Sequence, residues 1–325
     1  MGIKIRRDGF KRIDSSRKVV EFDPEGWHGK ITGSRLLAVL GRDKYMSEFK
    51  AACLIARLCF DDTKSVFTEA GNIIEPVMRS YVRERSDTVL RGLLNLDGQT
   101  ITVEEPVDKK DCRFDHFKKD KVFGGMVDGY IGVDGRRYAI LEIKTSSKRS
   151  DWFDENGGIK IPEGYDLQTS LYAELSNLEK IVFAVAFLEE SDYEHPETFV
   201  PNDDNTLIVA IDKRDIKEDM EAARQWFRKY IESGVTPEWK DSDMELVDII
   251  TSDRLETMPG EVMMNFRKYI NHMDSDEDLS DMEYYLAGVL EDAAIEGASS
   301  VVYKQNGVTF TLSLEGVPKL TVVRD

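Results

Sequence analysis

The sequence predicts an α/β fold, with one central mixed sheet flanked by helices and a C-terminal α+β segment. Two observations predict it. First, a helical part is followed by a hairpin signal at Asp134-Gly135, a helix, a strongly apolar strand at Ile181–Leu188 and another strand at Leu207–Ile211. This order of helices and strands favours a single mixed sheet. Second, beyond Pro237 the chain changes to helices followed by short strands.

The elements that precede the sheet have recognisable start and stop signals. A short strand is predicted at Lys18–Phe22. Ser34 is predicted to be the N-cap of a short helix that ends at Gly41, because glycine adopts the left-handed conformation of a helix end most easily. Apolar residues at helical spacing predict two further helices, Ser47–Phe60 and Ser65–Glu84.

The remaining elements follow from apolar runs and turn residues. The elements predicted for the sheet region are the strands Thr100–Glu104, Val122–Val133, Arg137–Thr145, Ile181–Leu188 and Leu207–Ile211, and the helices Tyr165–Leu178 and Ile216–Ser233. Those predicted for the C-terminal segment are the helices Met263–Met273 and Asp281–Ile295 and the strands Ser300–Tyr303, Val308–Leu314 and Leu320–Val323.

Charge is distributed unevenly along the 325 residues. The formal net charge is −18, and residues 241–325 hold 18 acidic against 6 basic side chains. Residues 1–18 hold seven basic and two acidic side chains. We therefore predict a basic N-terminal arm (1–18), a core (19–236) and an acidic C-terminal accessory segment (237–325), joined near a linker that begins at Pro237. Net charge governs solubility and long-range steering, and does not exclude a local nucleic-acid channel.

Composition excludes several classes of protein. A hydrophobic content of 41% predicts a folded globular chain, and no apolar run reaches the ~20 residues of a membrane span. There is no signal-peptide pattern, and three cysteines without a paired framework are typical of a reducing cytoplasm. The four histidines lack the spacing of a zinc hydrolase, and no phosphate-binding loop motif of ATPases is present.

Three charged residues interrupt the apolar strands of the predicted hairpin. Asp128 lies in one strand, and Glu142 and Lys144 lie two residues apart in the other, so that these two project from the same face. A hairpin can bring Asp128 across from Glu142. Two carboxylates beside an ammonium group fit a site for a hard divalent cation, which the backbone carbonyl of Ile143 could complete. The alternative is a structural ion pair on a solvated strand face, and both interpretations stay open on these residues alone.

Two further features favour the metal site. Glu75 lies in the third predicted helix, directly before Pro76, which would normally distort the helix. Such a distortion is tolerable if the helix presents its carboxylate to a site. Gln168 and Tyr172 stand four residues apart on a helix and share a face.

These residues together resemble a known family. Asp128, Glu142-Ile143-Lys144 and the Gln168-to-Tyr172 spacing are similar to the RecB-like branch of the PD-(D/E)XK nucleases, which have a restriction-endonuclease-like core. The segments around Gly33-Ser34 and from Gly71 to Pro76 are similar to the phage recombination exonucleases of the lambda-exonuclease and YqaJ type. The resemblance covers roughly residues 31–188. Val127 stands where the family name has proline.

The resemblance implies a function and a set of roles. Asp128, Glu142, the Ile143 carbonyl and Glu75 would hold Mg²⁺, with Mn²⁺ as an alternative. Lys144 would orient or deprotonate the attacking water, Gln168 would anchor Lys144 or a DNA phosphate, and Tyr172 would support it. Ser34 and Arg35 would bind the 5′ phosphate of the substrate.

The implied activity is exonucleolytic degradation of linear double-stranded DNA, from 5′ to 3′, in phage-type homologous recombination. The implied partners are DNA ends, a single-strand annealing protein and further copies of the chain in a ring trimer. Two alternatives on the same core stay open. One is a structure-specific or restriction-like endonuclease, which would cut closed circles. The other is a non-catalytic module that binds DNA ends.

Overall fold

The computed structural model describes residues 3–5, 10–14, 16–26, 28–61, 65–247, 250, 260–275, 278–293, 300–314 and 316–324. The chain forms two compact units. The sheet unit consists of Lys30–Asp43 and Thr63–Gln225. The terminal unit consists of Met1–Gly29, Lys44–Asp62 and Trp226–Asp325.

The sheet unit is built on five strands. In the chain they are β6 (Ile101–Glu104), β8 (Gly129–Val133), β9 (Arg136–Ser146), β10 (Lys180–Phe187) and β11 (Thr206–Asp212). Their order across the sheet is β11-β10-β9-β8-β6, with β9 and β10 parallel and the other neighbours antiparallel. The predicted mixed sheet is therefore confirmed. The short strands β4 (Ile31–Thr32) and β7 (Phe123–Gly124) pair in parallel beside it.

Helices cover both faces of this sheet. The helices of the sheet unit are α1 (Gly33–Val39), α3 (Val66–Glu84), a π-helical turn at Ser86–Leu90, α4 (Arg91–Leu93), α5 (Glu163–Ser176) and α6 (Glu190–Glu194), and α7 (Lys217–Tyr230) begins in it. Short 3-10 turns lie at Arg149–Asp151 and Pro196–Thr198.

The two long helices α3 and α5 face different sides of β9. Apolar residues of α3, such as Ile74 and Met78, form one core cluster with Leu141 and Ile143 of β9. Because successive side chains of a strand point to opposite faces, Glu142 and Lys144 project to the other side, where α5 meets them. Burial of the apolar stripe of α3 stabilises the unit by the hydrophobic effect, about 1.5–3 kcal/mol for each fully buried aliphatic side chain.

The terminal unit combines segments from both ends of the chain. Its elements are β1 (Ile3–Ile5), β2 (Phe10–Asp14), β3 (Val19–Phe22), α2 (Glu48–Ile55), β5 (Cys59–Asp61), the 3-10 turn Asp241–Asp243, the helices Gly260–His272 and Ser280–Ala293, and the strands Ser300–Gln305, Val308–Ser313 and Lys319–Arg324. The last three strands form an antiparallel sheet. Aromatic side chains such as Phe266, Tyr303 and Phe310 pack between it and the two helices. The predicted C-terminal α+β segment is confirmed in type and order.

Two predicted elements were wrong in extent. The helix predicted to reach Phe60 ends at Ile55, and Cys59–Asp61 is a strand that pairs with Ile3–Ile5, a partner too distant in sequence for local periodicity to reveal. The strand predicted over Val122–Val133 is broken between Gly124 and Gly129, because Gly125 has a φ of 138°.

Parts of the predicted N-terminal arm belong to strands. Residues 1–2, 6–9 and 15 lie outside the described residues, whereas Ile3–Ile5 and Phe10–Asp14 pair with β5 and β3. The predicted division at residues 18 and 236 assigns roles rather than packing and stays a prediction. Over the described parts of the chain, every helix is too short or too polar to cross a bilayer.

Candidate active site

Glu142 is the centre of a polar cluster in the sheet unit. It lies in the middle of β9 and only 1% of its side chain is exposed. Its Oε1 accepts a hydrogen bond from Gln168 Nε2 at 2.6 Å and lies 2.7 Å from Lys144 Nζ. Strand β9 supplies Glu142 and Lys144, and helix α5 supplies Gln168. The structure therefore brings together three residues that the sequence predicted as one site, although Gln168 contacts Glu142 rather than Lys144.

The second oxygen of Glu142 has an unusual environment. Oε2 is fully buried, and among the described residues no group is positioned to hydrogen-bond with it. A buried carboxylate oxygen without a partner costs about 1–3 kcal/mol or more, so such an atom calls for a functional explanation. It is a natural ligand position for a hard cation.

Asp128 lies beside this carboxylate. It directly precedes β8, and its Oδ2 accepts a hydrogen bond from the backbone N–H of Ile143 at 2.8 Å. The antiparallel register, which pairs Gly129 with Leu141, continues to place Asp128 across from Glu142. Burial, and then the charge of Glu142, raises the pKa of Asp128 to about 8. Two carboxylates that resist simultaneous ionisation are suited to a compensating cation.

Lys144 carries the positive charge of the cluster. Burial alone would lower the pKa of Lys144, but the carboxylates of Glu142 and Asp128 raise it overall. The ammonium group also lies 4.8 Å from the ring centroid of Tyr165, which stacks against Trp152. In this environment Lys144 is a charged hydrogen-bond donor held in place by two carboxylates and one ring.

Glu75 is linked to the cluster through Arg79. The two form an ion pair one turn apart on α3, and Arg79 Nε donates to the backbone carbonyl of Asp128 at 2.9 Å. Lys109 Nζ lies 3.7 Å from the other oxygen of Glu75. Within the described ranges, no three His, Cys, Asp or Glu side chains are grouped so that they could hold a metal ion together. A metal site here would thus consist of Asp128, Glu142 and a backbone carbonyl. The carboxylate of Glu75 is paired with Arg79 and Lys109, and its role as a metal ligand stays a prediction.

Tyr172 is fitted tightly between two glycines. A Cβ added at Gly125 would lie 2.5 Å from the Tyr172 hydroxyl, and one added at Gly33 would lie 2.6 Å from Gln168 Cγ. Gly125 also has a φ of 138°, a conformation that other residues rarely adopt. Burial raises the pKa of the Tyr172 hydroxyl. The hydrogen bonds that Tyr172 forms with the backbone of Gly33 and Met126 partly offset this rise. Tyr172 packs next to Gln168, with which it shares a helix face as the spacing predicts, and the supporting role that the resemblance implies for it stays a prediction.

Ser34 and Arg35 lie at the start of α1, which packs against α5. The predicted N-cap at Ser34 is wrong, because the helix begins at Gly33 with Thr32 as its N-cap residue. Pairing of Ile31–Thr32 with β7 keeps the backbone extended up to Thr32, and the helix can only begin after it. Ser34 is exposed in the first turn, with its hydroxyl 3.0 Å from that of Thr32. Gly41 follows the helix with a φ of 70°, as predicted.

Three residues that contact the cluster or Glu75 were not among the predicted site residues: Arg79, Lys109 and Tyr165. The signal for Arg79 was present, since residues four apart on a helix meet and Glu75 is four residues before it. Tyr165 stands three residues before Gln168 on the same helix face. Nothing local in the sequence indicates that Lys109 reaches Glu75.

Comparison with known proteins gives relatives in two bacteria and a structural likeness. No protein-family model matches the chain. An alkaline exonuclease from Laribacter hongkongensis is similar in structure, with a TM-score of 0.41 and 18% sequence identity over 66% of this chain and 89% of that one. The homolog of uncharacterized protein MG373 in Mycoplasma pneumoniae is 29% identical over 259 residues, which is 68% of this chain and 87% of that protein. Uncharacterized protein MG373 of Mycoplasma genitalium is 33% identical over 254 residues, 66% of this chain and 85% of that protein. The chain therefore belongs to the family of the Mycoplasma genitalium protein MG373.

Proposed function

We propose that the protein is a Mg²⁺-dependent deoxyribonuclease that degrades linear double-stranded DNA from its ends. One observation carries the proposal: Glu142 is buried, has one oxygen held by Lys144 and Gln168 and the other without a partner among the described residues, and lies beside Asp128. A purely structural ion pair would not leave a buried carboxylate oxygen unsatisfied next to a second buried carboxyl group.

Asp128, Glu142 and the carbonyl of Ile143 are the groups that would hold the cation, with Mn²⁺ as an alternative to Mg²⁺. A divalent cation at such a site supplies charge stabilisation on a phosphoryl oxygen and lowers the pKa of a bound water. Its charge would also relieve the repulsion between the two carboxylates.

The protein groups have distinct tasks in this proposal. Lys144, held as a cation, orients the water or a phosphate oxygen by donating a hydrogen bond. Gln168 fixes the rotamer of Glu142, and Tyr172 fixes the helix face that carries Gln168. The oxygen of the water forms a bond to phosphorus and gives up one proton, one P–O ester bond breaks, and the leaving oxygen takes up one proton.

Recognition of the DNA end is assigned to Ser34 and Arg35. A Cβ added at Gly33 would lie 2.6 Å from Gln168 Cγ, so the residue that follows Gly33 is close to the cluster. A hydroxyl and a guanidinium at a helix start are suitable ligands for a terminal 5′ phosphate, which would give degradation from 5′ to 3′.

The experiment uses linear duplex labelled at one end, with either a 5′-phosphate or a 5′-hydroxyl terminus, and closed circular duplex of the same sequence. We expect Mg²⁺-dependent loss of the linear substrates, faster for the 5′-phosphate form, and an intact circle. Chelation of Mg²⁺ should stop the reaction, and Ser34→Ala with Arg35→Ala should reduce the difference between the two ends. Cleavage of the circle would favour an endonuclease, and end binding without hydrolysis would favour the non-catalytic alternative.

Residues 237–325 are assigned to assembly or partner docking, for instance in a ring of several copies or beside a single-strand annealing protein. Their surplus of acidic residues would repel phosphates, and the site residues all precede them. Replacing the exposed Asp278 and Asp281 with Asn should alter the sedimentation or partner binding of the protein, while the rate of phosphodiester cleavage stays within about twofold. A changed cleavage rate with unchanged assembly would contradict this division of roles.

A further inference from the structure

A strongly basic loop connects β6 to β7 in the sheet unit. Within residues 109–121, which we call the basic loop, six side chains are basic and three are acidic. The basic side chains are all exposed: Lys109, Lys110, Arg113, Lys118, Lys119 and Lys121. The whole chain has a net charge of −18, so the charge of this cluster is opposite in sign to that of the protein as a whole.

The acidic residues of the basic loop are mostly engaged elsewhere. Asp115 pairs with Lys30 at 2.7 Å, and Asp120 pairs with Arg224 at 2.9 Å. Over the ranges that the structure describes, Lys118 and Lys119 form no ion pair. The exposed positive charge is therefore available to an outside anion.

The basic loop is fixed directly beside the candidate active site. Asp115 and His116 accept hydrogen bonds from the backbone N–H groups of Gly125 and Val127, in the segment that leads to Asp128. Phe117 stacks on Tyr172, with ring centroids 5.4 Å apart. At the other end of the loop, Lys109 lies 3.7 Å from Glu75.

The backbone of the basic loop has an unusual conformation at two consecutive residues. Arg113 and Phe114 have φ values of 52° and 59°, and 62% of the Phe114 side chain is exposed. Two consecutive non-glycine residues in the left-handed region are uncommon, and such conformations persist only where surrounding contacts impose them. The loop is a fixed basic surface at the edge of the site.

We propose that the basic loop binds the sugar–phosphate backbone of duplex DNA and holds the duplex over the active site. The inference rests on the proposed nuclease function and names the surface that receives its substrate. It also resolves the conflict between an acidic protein and a polyanionic substrate, because the positive charge is concentrated on a loop that contacts Tyr172 and the segment leading to Asp128.

The test compares two double variants with the same change in charge. Lys118→Gln/Lys119→Gln neutralises the basic loop. Arg136→Gln/Arg137→Gln is the control, since Arg137 precedes Lys144 by seven residues on the same strand, about 23 Å away. Both are made in a Glu142→Gln background, which under the proposed function should bind DNA without cutting it. Fluorescence anisotropy then measures the dissociation constant of a labelled blunt duplex over a range of salt concentrations.

Each lost phosphate contact reduces the steepness of the slope of log affinity against log salt by about 0.9. The slope of the loop variant should therefore be less steep than that of the parent by about 1.8, and the slope of the control variant should be unchanged. With the wild-type Glu142, the loop variant should show a raised KM and an unchanged kcat on saturating duplex. Equal slopes for both variants, in a wild type that binds and cuts duplex, would overturn the loop assignment alone. A wild type that neither binds nor cuts DNA would overturn the proposed function itself. A larger loss for a single-stranded oligonucleotide than for the duplex would overturn the choice of duplex as ligand.

Discussion

Arg79 Nε donates a hydrogen bond to the backbone carbonyl of Asp128 at 2.9 Å, while its guanidinium also pairs with Glu75. The buried side chain of Arg79 thereby fixes two groups: the backbone of Asp128 and the carboxylate of Glu75. A lysine has no planar group of five donors and could not make both contacts in the same geometry.

The role of Arg79 gives the first prediction. Arg79→Lys should raise the Mg²⁺ concentration needed for half-maximal activity about 10–100-fold, as loss of a group that orients metal ligands does. The melting temperature and the DNA affinity of this variant measure the purely structural effect separately. Arg83→Lys is the matched control, because Arg83 lies one turn later and its ion pair in the described part of the chain is with the exposed Glu105, at 3.4 Å. An unchanged Mg²⁺ requirement in Arg79→Lys would show that Arg79 does not position the site.

The contact between Gln168 and Glu142 gives the second. Gln168→Glu keeps the shape of the side chain but places a carboxylate 2.6 Å from a buried carboxylate, which turns attraction into repulsion. We expect a loss of activity of at least about 10²-fold, since one wrongly placed group near the reaction can have that effect. Gln225→Glu, on an exposed pair with Glu221 at 3.2 Å, should behave as the wild type. Single-turnover cleavage of labelled duplex measures both; near-normal rates for Gln168→Glu would contradict the assignment.

The packing of Tyr172 against Gly125 gives the third. Gly125→Ala should lower the free energy of unfolding by about 1–3 kcal/mol, because the new Cβ would overlap the Tyr172 hydroxyl and the φ of 138° is unfavourable for alanine. Adding Tyr172→Phe removes the overlapping oxygen and should recover part of that loss. Gly92→Ala, with no atom within 4 Å of the new Cβ, should have no destabilising effect. Urea denaturation measures the wild type, these three variants and the single variant Tyr172→Phe, and additive effects in the double variant would exclude the proposed contact.

The ionisation of Asp128 gives the fourth prediction. It applies to protein from which a chelator has removed divalent ions. Because its pKa of about 8 lies above the value in the unfolded chain, the folded state retains a proton that the unfolded state releases. The resulting cost to stability is absent at low pH, grows as the pH rises through the range below 8, and is complete above it. Asp128→Asn removes this cost, so its stability advantage over the wild type should increase from pH 5 to pH 9. Thermal denaturation at several pH values measures it, and a constant difference would exclude the raised pKa. Mg²⁺ should stabilise the wild type and not the variant.

Several parts of the site depend on local sequence alone. Alternation along a strand places Glu142 and Lys144 on the same face of β9, wherever that strand lies in the sheet. Helical spacing likewise places Gln168 and Tyr172 on the same face of α5. The Asp134-Gly135 turn, with φ values of 49° and 76°, determines which strand returns beside β8. These features were predictable because a few neighbouring residues decide each of them.

Other parts depend on contacts between residues far apart in the chain. The choice of Thr32 over Ser34 as helix N-cap depends on β7, some 90 residues later. The bond from Arg79 to the Asp128 carbonyl spans 49 residues, and the one from Gln168 to Glu142 spans 26. The basic loop has no periodic pattern, and contacts with residues distant in sequence, such as its hydrogen bonds to Gly125 and Val127 and the stack of Phe117 on Tyr172, bring it to the site.

The sequence by itself determined which side chains share a face, because backbone geometry repeats every two residues in a strand and every 3.6 in a helix. The tertiary structure decided which faces meet, which oxygen of Glu142 has a partner, and that Arg79 joins Glu75 to Asp128. Those outcomes depend on close packing and on the pairing of buried polar groups, which are properties of the assembled core and not of any one segment.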